Sequence, residues 1–273
     1  MCGRIALYTP PERLARRLGA GLAGDLGDAA EPRWNIPPTQ TVLALVHPKR
    51  EKAGAGGASD GGGLSDGGGL SDGGGPSDEV ASTDETGHPE RLLASFRWGL
   101  IPWWAKDPSI GNKQFNARAE TLEKRSAFRS ALAERRCLVV ADGFYEWKAR
   151  SDSGSGPKTP LYFTRSDGEP LTFAGLWETW RDPTQPRETR QRIHSCTIVT
   201  TAAGPDVEAV HNRMPVVVEP GDIDTWLASG PLDPRTLGRV LEPSPSGTLS
   251  SLVVSTRVNS VKNEGPELVE ASR

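Results

Sequence analysis

The second residue of the chain is a cysteine, set between the initiator Met1 and the small Gly3. That context suits removal of Met1, which leaves Cys2 as the first residue with two nucleophiles on adjacent carbons. An α-amine ordinarily titrates near about 7.7 to 8.0 and a cysteine thiol near about 8.5, so both are partly deprotonated at neutral pH. An aldehyde can condense with the amine to give an imine, and the neighbouring thiol can then close a five-membered thiazolidine ring. Because one residue carries both groups, the second step is intramolecular and gains the proximity advantage of covalent catalysis. A cysteine at position 2 does not by itself separate this chemistry from chance.

Four further segments concentrate polar and aromatic residues. They are GLIPWW (Gly99 to Trp104), FNARAET (Phe115 to Thr121), ADGFYEW (Ala141 to Trp147) and VHNRMPVVV (Val210 to Val218). In the third, Glu146 is flanked by Tyr145 and Trp147; in the fourth, His211 and Arg213 directly precede an apolar run. An amide such as that of Asn116 both donates and accepts, a carboxylate such as Glu146 can accept and return protons, and an imidazole such as His211 can act as an acid. Taken singly, a loop-capping asparagine and a solvated surface glutamate account for two of these residues equally well.

Together with Met1-Cys2-Gly3-Arg4, these segments resemble the SRAP (SOS response-associated peptidase) family in order and wording, and Val258 to Val269 (VNSVKNEGPELV) resembles its C-terminal portion. The resemblance implies a protein that captures the ring-opened aldehyde of abasic sites in single-stranded DNA through Cys2. It implies protection of the site during the DNA damage response, self-removal of Met1 and a part in crosslink reversal. It maps the family's catalytic residues onto Cys2, Asn116, Glu146 and His211. Arg4, Arg118 and Arg213 match positions that contact the DNA backbone, where guanidinium groups bind phosphate oxygens, although any of them can equally be a structural ion pair. Pro38, Trp103 and Trp104 match an apolar rim able to stack on or wedge between bases. Of the two tryptophans, Trp103 is the better candidate for burial in the core. No cofactor and no metal are implied. The alternative reading, recorded in the family's own name, is a cysteine-type N-terminal nucleophile peptidase. A further rival is a passive DNA-binding module in which Cys2 is incidental.

The elements that must hold these residues are mostly strands. Gly3 to Tyr8 reads as a short strand and Pro10 to Leu18 as a helix, with Thr9 as its N-cap and proline at its first position. Trp34 to Pro38 (WNIPP) reads as an extended or turn-like surface corner, because each proline restricts the residue before it. Thr41 to His47, Leu92 to Leu100, Cys137 to Ala141, Ser195 to Thr201 and Met214 to Val218 read as strands. Leu161 to Thr164 and Leu171 to Leu176 suggest a hairpin turning at Ser166, Asp167 and Gly168. Helical periodicity runs from Ala119 to Arg136, and Ile223 to Leu227 is a shorter helix. The sum is an α+β fold, a single SRAP-like domain over residues 2–273, built of strongly curved, mainly antiparallel sheet with a few flanking helices.

Residues 51–90 interrupt this pattern with three tandem copies of Ser-Asp-Gly-Gly-Gly-(Leu/Pro) from Ser59. So little apolar surface cannot offset the entropy of ordering the chain, which predicts a disordered insertion within the domain, joining two strands. The family pattern has no such segment, and Trp34 stands where its members often carry a different aromatic. The insertion carries one basic and nine acidic side chains, leaving 31 basic against 26 acidic elsewhere, a net charge of +5. The overall acidity therefore does not exclude a nucleic-acid partner. Three cysteines without CxxC spacing argue against a disulfide framework or a zinc site and suit a reducing cytoplasm, with nucleoid association when DNA is bound. No apolar run is long enough to span a membrane, and no secretory signal or replication-clamp docking motif is evident.

Overall fold

A computed structural model describes residues 2–47, 91–149, 156–186 and 188–272. In chain order the first elements are β1 (Ile5–Leu7), α1 (Pro11–Leu18), β2 (Ala20–Leu22), β3 (Arg33–Ile36), β4 (Thr41–Val46), β5 (Arg91–Trp98) and β6 (Asn116–Arg118). There follow α2 (Ser126–Glu134), β7 (Arg136–Ala141), β8 (Gly143–Lys148), β9 (Thr159–Arg165), β10 (Leu171–Arg181) and β11 (Arg192–Ala202). The chain ends with β12 (Arg213–Pro215), α3 (Ile223–Leu227), α4 (Pro234–Val240) and β13 (Leu249–Val253). The α+β class and the mainly antiparallel, curved sheet expected from the sequence are what the chain adopts.

One sheet runs β13-β9-β8-β1-β3 and the other β12-β11-β10-β7-β4-β5-β2. A short parallel pairing of β11 with β5 (Ser195 opposite Arg97, Cys196 opposite Trp98) closes β11, β10, β7, β4 and β5 into a ring. The apolar run of β7 is buried at every position, as a strand covered on both faces requires. The two sheets meet through stacked Phe144 and Phe163, with Phe173 of β10 edge-on to Phe144 at 5.8 Å between ring centres.

That aromatic contact explains why the expected hairpin of Leu161 to Leu176 does not form. Both strands exist, but β9 pairs with β8 and β13 whereas β10 pairs with β7 and β11, so the turn at Gly168 (φ +75°) carries the chain from one sheet to the other. Three further expectations are corrected. The N-cap of α1 is Pro10, because the Thr9 hydroxyl and the backbone N–H groups of Tyr8 and Thr9 are all taken by Asp142. Trp34 to Pro38 is no surface corner: residues 33–36 form β3, with Asn35 and Ile36 buried. The helical stretch from Ala119 breaks into a 3-10 turn (Ala119–Thr121) and α2, and Arg136 begins β7 instead, its buried guanidinium donating to the carbonyls of Leu132, Trp226 and Ala228.

The expected insertion at residues 51–90 lies outside the described residues. Its flanks do not: β4 and β5 are antiparallel neighbours from Thr41 opposite Arg97 to Val46 opposite Leu92. At about 3.4 Å per residue, the Val46 end lies roughly 17 Å along the hairpin from the Thr41 end. Trp98 and Gly99, which lead into the tryptophan pair, are at the Thr41 end.

Candidate active site

Cys2 is fully buried at the start of β1, which lies between β3 and β8. The β1–β8 ladder pairs Ile5 with Phe144, and the Tyr145 N–H donates to the Arg4 carbonyl at 2.9 Å. Continuing that register sets Gly3 opposite Glu146, so the carboxylate comes to the cysteine through strand pairing. Glu146 is itself only 3% exposed. Gly143 permits the arrangement, since a Cβ there would stand 2.3 Å from the Tyr162 ring.

Burial pushes the Cys2 thiol well above the ordinary cysteine range, and the Glu146 charge pushes it further; a hydrogen bond from the Arg4 N–H to the sulfur opposes both. The site therefore keeps the Cys2 thiol protonated, with the Glu146 carboxylate close enough for its charge to be felt at the sulfur. Asn116 leads β6, held on the edge of β11 by its pairing with Ile198. Its Nδ2 donates to the Cys2 carbonyl at 2.6 Å, while its Oδ1 is buried with no hydrogen-bond partner among the described residues. Cys2, Asn116 and Glu146 are thus brought together from three strands.

His211 precedes β12, which joins β11 where Ala202 faces Arg213. Its Nδ1 accepts the Arg213 backbone N–H at 2.9 Å, which leaves the proton of the neutral ring on Nε2. The 3.1 Å contact of the same nitrogen with the Arg213 carbonyl is then close approach alone. The Arg213 guanidinium donates to both oxygens of Glu120, at 2.5 and 3.1 Å, and to the Thr200 carbonyl at 2.6 Å. Those bonds hold the Glu120 carboxyl below its usual range. Arg118, opposite Thr200 in the β6–β11 ladder, is exposed.

Arg4 is committed to the protein. It donates to Asn35 Oδ1 and, at 2.9 Å, to the Val258 carbonyl, and it lies 5.6 Å from the centre of the Trp147 ring. The Trp147 Nε1 in turn donates to Asn259 Oδ1 at 2.7 Å, tying the C-terminal segment to the same corner.

The tryptophan pair projects to solvent, and here one expectation reverses. Trp103, the better candidate for burial, is the more exposed at 64% against 46% for Trp104. The reason is that Ile101 and Ala105 take the buried places with Trp180, leaving the residues between them outside. The loop is fastened at both ends: the Ile101 N–H donates to Ser195 Oγ at 2.8 Å, and Trp180 Nε1 donates to the Ala105 carbonyl at 2.7 Å. Gly99 (φ +132°) and Gly111 pack back to back, each leaving no room for a Cβ beside the other's carbonyl. Half-buried Pro38 lies in the adjoining turn, which is cross-tied to the base of the same loop by the Thr39 N–H to Trp98 carbonyl bond at 2.7 Å. Thr39 adopts φ +78° there, a costly conformation for a β-branched residue.

Sequence reasoning missed Glu120, Asn35, Ser195 and Trp180. Glu120 was visible as the lone acid within FNARAET, but the others act on partners far along the chain and carry no local signal. Among the described residues no group of three or more His, Cys, Asp or Glu is placed to hold a metal, and no helix is long and apolar enough to cross a membrane.

A family model described as SOS response associated peptidase (SRAP) matches residues 1–261. The abasic site processing protein YoqW of Bacillus subtilis (strain 168) is 40% identical over 273 residues, spanning 99% of this chain and 100% of the relative. The abasic site processing protein HMCES of Gallus gallus is 33% identical over 202 residues, 65% of this chain and 57% of the relative. Among solved structures, a protein from Bacteroides thetaiotaomicron superposes with a TM-score of 0.72 at 17% identity over 100% of both chains, a likeness of fold alone. A phage-related protein from Bordetella bronchiseptica reaches a TM-score of 0.58 at 28% identity, covering 93% of this chain and 94% of its own.

Proposed function

This chain belongs to the SRAP family, and from that premise we propose that it processes abasic sites in single-stranded DNA by covalent capture at Cys2. With Met1 removed, the Cys2 α-amine adds to the aldehyde of the ring-opened sugar, and loss of water gives an imine. The thiol then adds to the imine carbon, its proton passing through Glu146 to the nitrogen, and a thiazolidine closes. The balance is one water released per crosslink. His211 hydrogen-bonds through its Nε2–H to the sugar ring oxygen as the ring opens, the proton of the sugar's own anomeric hydroxyl passing to that oxygen as the aldehyde forms, and the same step run backwards serves reversal. Asn116 fixes the Cys2 carbonyl and with it the direction of the amine. Trp103, Trp104 and Pro38 form the rim that stacks on bases beside the lesion, and arginines bind the flanking phosphates. No cofactor enters the scheme.

The observation that carries this reading is the grip of Asn116 on the Cys2 carbonyl with the Glu146 charge felt at the sulfur. It also orders the steps: a thiol held protonated is a poor first nucleophile, so the amine attacks first. The decisive experiment incubates Met-cleaved protein with single-stranded DNA bearing one abasic site, beside Cys2→Ala, and reads denaturing gels and intact mass. A heat-stable adduct of protein plus DNA minus one water, absent from the variant, is the expected result. Absence of an adduct despite a confirmed free Cys2 would overturn it. Turnover of a peptide substrate beyond Met1 release would instead favour the peptidase reading.

A further inference from the structure

Arg213 matches a family phosphate contact, yet its guanidinium is already engaged. Both terminal nitrogens donate to Glu120, one of them also to Thr200, and the side chain is 15% exposed whereas that of Glu120 is 53% exposed. The carboxylate therefore lies on the solvent side of the arginine. A carboxylate and a phosphate meet the guanidinium fork with the same two-point geometry, so only one of them can hold it at a time. We infer that Glu120 is a resident stand-in for a DNA phosphate on Arg213, and that a backbone phosphate reaches Arg213 only by displacing it.

The surroundings supply what such an exchange needs. The Glu120 carboxylate is half exposed and its pairing is screened by salt, so on release it passes directly into water. Arg118 stands two residues before Glu120, exposed, and its charge already acts on that carboxylate, giving it a new partner nearby. Arg213 stays in place during the exchange because the Thr200 carbonyl keeps its second anchor. Its backbone N–H meanwhile fixes His211. Glu120 thereby becomes a specificity-determining residue: it lowers affinity for undamaged strands, which offer phosphates and bases but no aldehyde, while a strand that also engages Cys2 overcomes the competition.

The inference rests on the DNA reading above, and the test separates the two. Fluorescence anisotropy with an intact single-stranded oligonucleotide, across a sodium chloride series, is compared for the full chain and Glu120→Gln. The variant should bind several-fold tighter at low salt, with the slope of log Kd against log salt steeper by about 0.7 for the one phosphate newly neutralised. That gain should vanish between Arg213→Ala and the double variant Glu120→Gln/Arg213→Ala. Unchanged or weaker binding by Glu120→Gln overturns the inference and assigns Glu120 to orienting Arg213. Should Glu120→Gln lower the thermal midpoint, Glu120→Asp decides: it keeps the charge and should keep the wild-type slope, and a steepened slope there also overturns the inference. If the unaltered chain binds no single-stranded DNA at low salt, the DNA reading itself fails; if it binds and Glu120→Gln behaves identically, only the competition is lost.

Discussion

Cys2 and Glu146 form a pair in which the carboxylate helps to keep the thiol protonated. Burial is the larger influence on the thiol and the Glu146 charge the second, and both favour the neutral sulfur. Removing the charge while keeping the shape should therefore let the thiol ionise at lower pH. In Glu146→Gln, alkylation of Cys2 by iodoacetamide, followed by peptide mass mapping, should begin at lower pH than in the wild type. Superimposable pH profiles would mean that burial alone sets the thiol. Crosslinking should nevertheless slow in the same variant, because the proton acceptor is gone, by about a hundredfold for a lost general base. Simple unfolding around Cys2 would also expose the thiol and slow capture, so an unchanged thermal midpoint and unchanged hydrogen exchange of β1 and β8 in Glu146→Gln are required for the electrostatic reading.

The loop from Gly99 to Gln114 is the element on which the tryptophans depend, and its rigidity comes from contacts outside itself. Gly111→Ala places a Cβ 2.6 Å from the Gly99 carbonyl, a backbone atom that cannot step aside. The expected cost is about 1–3 kcal/mol, as for overpacking elsewhere. Hydrogen exchange of residues 100–106 should accelerate selectively in this variant, with β7 unchanged; uniform acceleration would show that the loop is not a separate unit. The elements show where sequence reading succeeds. The strand around Cys137 was legible because it is buried on both sides and leaves an unbroken apolar run, and that around Ser195 because it is rich in β-branched residues. The segments that carry the family resemblance were legible as wording, in order. Partner choice was not: β9 and β10 show alternation and a turn between them, yet Phe144, Phe163 and Phe173 send them to different sheets. The exposure of Trp103 was hidden for the same reason, since the buried places belong to Ile101 and Ala105 only once Trp180 arrives from β10.

Taken whole, the molecule buries several groups that stay protonated in the folded chain. Cys2, Cys137 and Cys196, together with Tyr145 and Tyr162, are all pushed above their ordinary values, with burial the first cause in each. Well below about pH 8 these groups are neutral in folded and unfolded chains alike and their contribution to stability is constant. From about pH 8 upward the unfolded chain loses protons that the folded chain keeps, thiols first and phenols near about pH 10, so stability falls as pH rises. The urea midpoint should drop between about pH 9 and 11, and less steeply in Cys196→Ala than in the wild type once each is referenced to its own value at pH 8. Equal slopes would show that Cys196 does not contribute. The C-terminal segment has a consequence in time as well as in space. Arg4 is held by the Val258 carbonyl, Asn35 by carbonyls of Val258, Ser260 and Asn263, and Trp147 by Asn259. The corner beside Cys2 thus waits for Val258 to Asn263 before it is complete. Until those residues have emerged from the ribosome, a nascent chain carries Cys2 without the bonds that fix its neighbour Arg4.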